Sequence, residues 1–329
     1  MKILKFLLLA LGAALLVQTL RSVGTARTLE ELSGLGWKVV PLFSVYALIY
    51  AFNTWGWIYS FPKPLPRSVP FRDLYVIRII GETLNNLIPW AASLGGEPVK
   101  AHLLYRKHGV PVSEGLASVL IVHTTFYLSL NAFLLGALAA TSASRPLPPL
   151  LWKPVLIFLI VLGIGALILA GGLIWGLFRR IHAVGHRFHW WGEKTEEKAR
   201  HYLELDAEIR RFYASDHRRF WLSTAFNFAA WMAGSLEVWG AARLLGIPMT
   251  LADAWLFEAL IQAIRIVTFF IPASIGAQES GIVFLFTQMG LTAPAGLALA
   301  LLRRAREILW MGAGLLFWAV LREGRRAGT

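Results

Sequence analysis

Apolar runs at 3–20, 38–60, 112–140, 151–178, 220–245 and 293–321 decide what this chain can become, because a helix needs roughly 20 residues to cross the hydrocarbon of a bilayer. In lipid every backbone N–H and C=O must be paired internally, which leaves helices and closed barrels. Runs of this length without period-two alternation point to helices. With 57% hydrophobic residues and a mean hydropathy of +0.58, the chain is too apolar for an ordinary soluble domain. We read an all-α integral membrane protein in one membrane domain over 1–329.

Two further apolar stretches, 73–108 and 252–290, are each interrupted by proline and glycine, in "IPWAASLGGEP" and "IPASIGAQESG", where a continuous helix cannot persist. We expect six spanning helices and two broken, re-entrant hairpins. The first run has a basic start, Lys2 and Lys5, like a signal peptide. It lacks a small-residue cleavage site directly after it, so it is read as an uncleaved helix.

Charge gives the orientation. The net charge of +13 lies in connecting segments rather than in one patch with interleaved aromatics, which excludes a nucleic-acid surface and fits loops facing anionic inner-leaflet lipid. The densest basic segment, 179–219, is placed in the cytoplasm, as are both termini, and the hairpins then enter from opposite sides. Within that segment, 193–213 puts Tyr202, Leu205, Ile209 and Phe212 on one helical face. We expect an amphipathic helix on the inner membrane surface.

The two breaks are copies of one pattern. "IPWAASLGGE" (88–97) and "IPASIGAQE" (271–279) match within a one-residue gap. The flanking runs make a first unit of 38–140 and a second of 220–321. A span, a broken hairpin and a span, repeated upside down, is a transporter arrangement with its site where the broken helices meet.

Gly95, Gly96 and Pro98 place a helix start near Glu97. Its free N–H groups, with Lys100 one turn later, would suit a phosphate or carboxylate. Alternatively Glu97 caps its own helix and Lys100 reaches the interface. Glu82 and Arg265 each lie seven residues before the motif proline, Pro89 or Pro272. They are counterparts of opposite sign, so Arg265 is expected to pair with Glu82 or Glu97, permanently or in competition with a headgroup.

Asn85, Asn86, Ser93, Thr268, Ser274 and Gln278 are the polar groups near the breaks, able to satisfy freed backbone or to bond a ligand. Arg303, Arg304, Arg306 and Glu307 form one charged turn of the last run, with Arg304 assigned to the site. Glu237, Arg243, Asp253 and Glu258 are read as interfacial and left out of it.

Absence of cysteine closes thiolate chemistry. His182, His186 and His189 have helical spacing but no neighbouring carboxylate, so no metal and no cofactor are expected. No phosphate-binding loop, nucleophile elbow or zinc-protease motif occurs. An enzyme is disfavoured; a lipid transferase using Glu97 or Glu279 as base, or a scaffold acting through 179–219, are the competing readings.

"LNNLIPWAASLGGEPVKAHLL" and "FIPASIGAQESGIVFLF" resemble the lysylphosphatidylglycerol synthase transmembrane-region, or flippase-like domain, family. Overall similarity points to its hopanoid-biosynthesis-associated subgroup. The resemblance implies a bacterial inner-membrane protein that moves a lipid with a polar or anionic headgroup between leaflets, with lipid-biosynthesis enzymes as candidate partners. Pro89, Gly95, Glu97, Pro272, Gly276 and Glu279 match the family's stretches. The chain stops at Thr329 after its last run, so the soluble aminoacyl-transferase domain of the full-length synthases is expected to be missing.

Overall fold

Every described element of this computed structural model is helical, as the backbone of an apolar chain requires. The structure describes residues 2–23, 28, 30, 32–87, 95–142, 147–177, 179–180, 183–184 and 196–323. Eleven α-helices and no strand occur among them. They are α1 (Lys2–Val23), α2 (Val39–Ile58), α3 (Phe71–Leu87), α4 (Glu97–His108), α5 (Val112–Thr141), α6 (Pro149–Ile174), α7 (Glu196–Ser215), α8 (His217–Leu244), α9 (Leu251–Val267), α10 (Ala277–Gln288) and α11 (Ala293–Glu323).

Three helical segments, Gly36–Ile58, Val112–Thr141 and Pro149–Ile174, are long and apolar enough to cross a membrane. Helices α8 and α11 have 28 and 31 residues but carry interior charges that the other three lack. Helix α6 exposes Ile157, Val161, Leu167 and Ile168 and forms the outer rim. Helix α5 is central, with Leu130, Phe133 and Leu134 buried in a core shared with Phe257, Leu260, Phe286 and Leu299.

Each broken stretch is a pair of helices. Both hairpins have a first arm of 17 residues and a second of 12, α3 with α4 and α9 with α10. At 1.5 Å per residue these arms are about 26 and 18 Å long, short of the roughly 30 Å hydrocarbon thickness.

The helices flanking the hairpins pack in reversed order. Leu42 of α2 lies against Gly240 of α8, Gly56 against Asn227, and Ser60 bonds Ser223 at 2.9 Å, so α2 and α8 are antiparallel. Arm α3 packs on α11, and arm α9 packs on α5 through the bond from Trp255 Nε1 to the Phe133 carbonyl. Ser223 and Asn227 reach Thr125 of α5 at 2.8 and 3.1 Å. Three helices are thus joined by short polar side chains that allow close approach, as is usual inside membranes.

Helix α7 corrects one expectation. Leu205, Ile209 and Phe212 are buried against Ala117 and Ile121 of α5 and Leu173 of α6, so this apolar face covers protein rather than lipid. The side chain of Tyr202 lies outside the described residues. Lys63, in the connection after α2, joins α5 and α7 by bonding Glu114 and Glu208, each at 3.1 Å.

The second break is held by α1. Gly276 has φ +77°, and a Cβ there would collide with the Gly12 carbonyl, while Thr19 of α1 bonds Ser280 at 2.7 Å. Gly276→Ala is expected to lose about 2–3 kcal/mol through overpacking and backbone strain. Gly165→Ala, in open space on α6, should gain up to about 1 kcal/mol from helix propensity. Thermal unfolding in detergent reads both.

Candidate functional site

The first hairpin closes so tightly that its arms touch through glycine. A Cβ on Gly96 would overlap the Gly81 carbonyl. That contact lets Asn85 clasp the start of α4, its Oδ1 accepting from the Gly96 N–H at 2.7 Å and its Nδ2 donating to Glu97 at 3.1 Å. The other oxygen of Glu97 meets Lys100 Nζ at 2.6 Å, and the ammonium sits 5.6 Å from the centre of the Trp57 ring.

Helix α4 does begin at Glu97 with Pro98 in its first turn. Both simple readings of Glu97 and Lys100 are nevertheless corrected. Lys100 is only 1% exposed, so it does not reach the interface, and its charge is already matched. Glu97 does not cap its own helix; Asn85 fills that role at Gly96.

The second hairpin solves the same problem differently. Ala273 and Ser274 hold φ of 48° and 49°, values that non-glycine residues rarely adopt. Arg304 holds this turn by donating to the Ala273 carbonyl at 3.0 Å and to Glu279 at 2.6 Å. Glu279 in turn accepts from the Gly276 N–H at 2.7 Å. Glu97 is the first residue of its helix and Glu279 the third, so the aligned glutamates occupy different helical positions.

Between the hairpins lies a cavity of about 500 Å³. Asn85, Asn86, Glu97, Lys100, Arg265 and Pro272 line it, as does Ser274. Gly95, Gly276, Glu279 and Arg304 are not in its wall; Glu279 and Arg304 support the second break from behind. Pro89 and Ser93 lie outside the described residues, as do His182, His186 and His189. No group of metal-binding side chains occurs among the described residues.

The expected pairing of Arg265 with Glu82 or Glu97 does not form. Arg265 meets Glu307 at 3.3 Å, Glu82 meets Arg78 at 3.3 Å, and Glu97 takes Lys100. Each carboxylate has a cation closer in sequence or on the adjacent arm.

Glu237 and Glu258, read as interfacial, line the cavity instead. Glu258 accepts from Arg303 at 2.6 Å and from Gln262 at 2.6 Å, and Glu237 is bound by Arg306. Sequence reading also passed over Tyr46, Tyr50, His123, Tyr127 and Trp231, all in the wall. The lone histidine in the run 112–140 was the available signal, since an ionisable residue inside a span marks function.

An apolar helical chain thus encloses a charged, aromatic-lined chamber, and the family model described as "Lysylphosphatidylglycerol synthase TM region" matches residues 3–315. The chain belongs to that family. The match takes in both hairpins and every residue of the cavity wall. It makes the protein a multi-pass membrane protein of lipid-related function. No curated protein and no solved structure matches the chain.

Removing one partner of a buried pair strands a charge, which costs about 3–5 kcal/mol, whereas replacing both is often nearly neutral. Arg303→Met alone is expected to cost that much, and Arg303→Met with Glu258→Gln to regain most of it. A double-mutant cycle on thermal unfolding measures the difference.

Proposed function

We propose that this protein is a lipid translocator of the bacterial inner membrane, carrying a polar or anionic lipid headgroup through the cavity between its two hairpins. The observation that carries the reading is a 500 Å³ chamber walled by ion pairs and aromatic rings within a lipid-related membrane family. Such a volume is typical of a small-molecule site. A wall of charges beside the interior of a bilayer has little use unless something polar passes it.

The paired hairpins of 17 and 12 residues and the antiparallel α2 and α8 support an inverted repeat, with six spans and two re-entrant hairpins. In this reading both termini are cytoplasmic, and the first hairpin enters from that side. The protein is a carrier and does no chemistry on the lipid. Its partners are the moving lipid and the anionic lipids of the inner leaflet.

Glu82 and Arg265 are the charges best placed to meet a headgroup. Their side chains are 30% and 26% exposed, while the other cavity-lining ions are almost wholly buried. In proteoliposomes that resolve the two leaflets, Arg265→Ala and Glu82→Gln are each expected to slow lipid movement about tenfold, on the scale of one lost charged contact. Leu167→Ala, on the lipid-facing side of α6, should leave it unchanged. Absence of movement by the wild type across anionic and zwitterionic lipids would rule the reading out.

A further inference from the structure

The charges in the cavity wall and directly behind it sum to zero. Arg78 matches Glu82, Lys100 matches Glu97, Arg303 matches Glu258, Arg306 matches Glu237, Arg304 matches Glu279 and Arg265 matches Glu307. These pairs account for all the Lys, Arg and Glu residues contributed to the wall by α3, α4, α8, α9 and α11. The wall tyrosines Tyr46, Tyr50 and Tyr127 are of a type that stays neutral near pH 7.

His123 of α5 is what remains. It lines the cavity within electrostatic reach of Glu97, but Glu97 is already bound by Lys100, and among the described residues no carboxylate forms an ion pair with the imidazole. Its Nδ1 lies 2.7 Å from the Val119 carbonyl oxygen. A carbonyl only accepts, so Nδ1 carries the hydrogen and Nε2 keeps the lone pair. Histidine is the side chain whose charge ordinarily changes between about pH 5 and 8.

We propose that His123 is a proton-binding site coupled to an anionic headgroup, an inference that rests on the cavity's being a headgroup site. A proton from water adds to Nε2 and gives the chamber one net positive charge, which an anionic headgroup neutralises. Loss of that proton to water returns the paired set to zero and leaves the headgroup's charge unmatched, so it departs. An unmatched charge is costly where buried protein walls limit its contact with water. Because the paired ions cancel, one proton takes the chamber from neutral to cationic.

Coupling of this kind is reciprocal: the anionic lipid must strengthen proton binding by the factor with which the proton strengthens lipid binding. The test uses phosphatidylcholine proteoliposomes carrying either a fluorescent short-chain phosphatidylglycerol or its phosphatidylcholine analogue. Movement of the anionic probe should rise about tenfold from about pH 8 to about pH 5.5, and that of the zwitterionic probe should stay level. His123→Gln, which keeps a polar side chain but binds no proton in this range, should abolish the slope.

A flat wild-type profile for the anionic probe, or an unchanged slope in His123→Gln, overturns the proposal. If no probe moves in the wild type, the translocator reading fails, and a titration then decides this inference separately. The imidazole of His123 is followed by NMR in nanodiscs, in a full-length chain whose seven other histidines, of 8 in all, are replaced by glutamine. About tenfold tighter proton binding with phosphatidylglycerol than with phosphatidylcholine alone supports the site. Equal binding in the two overturns it, and the same measurement decides if His123→Gln does not fold.

Discussion

Arg306 is 1% exposed, and a guanidinium cannot shed its charge by giving up a proton. Whatever surrounds it must supply negative charge. Glu237 of α8 does so directly, Glu307 adds a second carboxylate at 3.6 Å, and the ring of Tyr46 lies under the guanidinium at 4.0 Å, a cation–π contact strengthened by burial. Through this one side chain α11 is tied to α8 and to α2. The two neighbouring arginines act alike, Arg303 holding α9 and Arg304 holding the turn before α10.

The two hairpins reach the same end by different chemistry. In each, a broken backbone leaves groups that lipid cannot satisfy. The first break uses a neutral amide, Asn85, and the close contact of Gly81 with Gly96. The second uses charge, Arg304 with Glu279, and tolerates left-handed backbone at Ala273 and Ser274. A repeat visible as Ile-Pro, Ser, Gly and Glu therefore preserves the break itself but not the side chains that stabilise it.

That difference marks how much was legible in the sequence. The apolar runs, the breaks and the helix start at Glu97 could be read, because length, proline, glycine and hydrophobic pattern act locally. Partners of the buried charges could not. Arg265 and Glu307 are 42 residues apart, and Arg306 and Glu237 are 69 apart. Spacing within a helix says which face a residue occupies, not which helix will meet it. Local pattern therefore points Glu237 and Glu258 to the interface, whereas they line the cavity, and points the apolar face of α7 to lipid, whereas α5 and α6 cover it.

The pairs also impose an order on the making of the protein. Arg78 with Glu82 and Glu97 with Lys100 are complete within a single turn, so the first hairpin carries its own counter-ions as it emerges. Glu237, Glu258 and Glu279 must wait for Arg303, Arg306 and Arg304, which arrive together in the last helix. Until α11 is synthesised, three carboxylates of the second half have no cation, and α11 alone would carry three guanidiniums toward lipid at high cost. The buried carboxylates of α8, α9 and α10 are therefore neutralised only once the final helix is in place, whereas the first hairpin needs no later helix to match its charges.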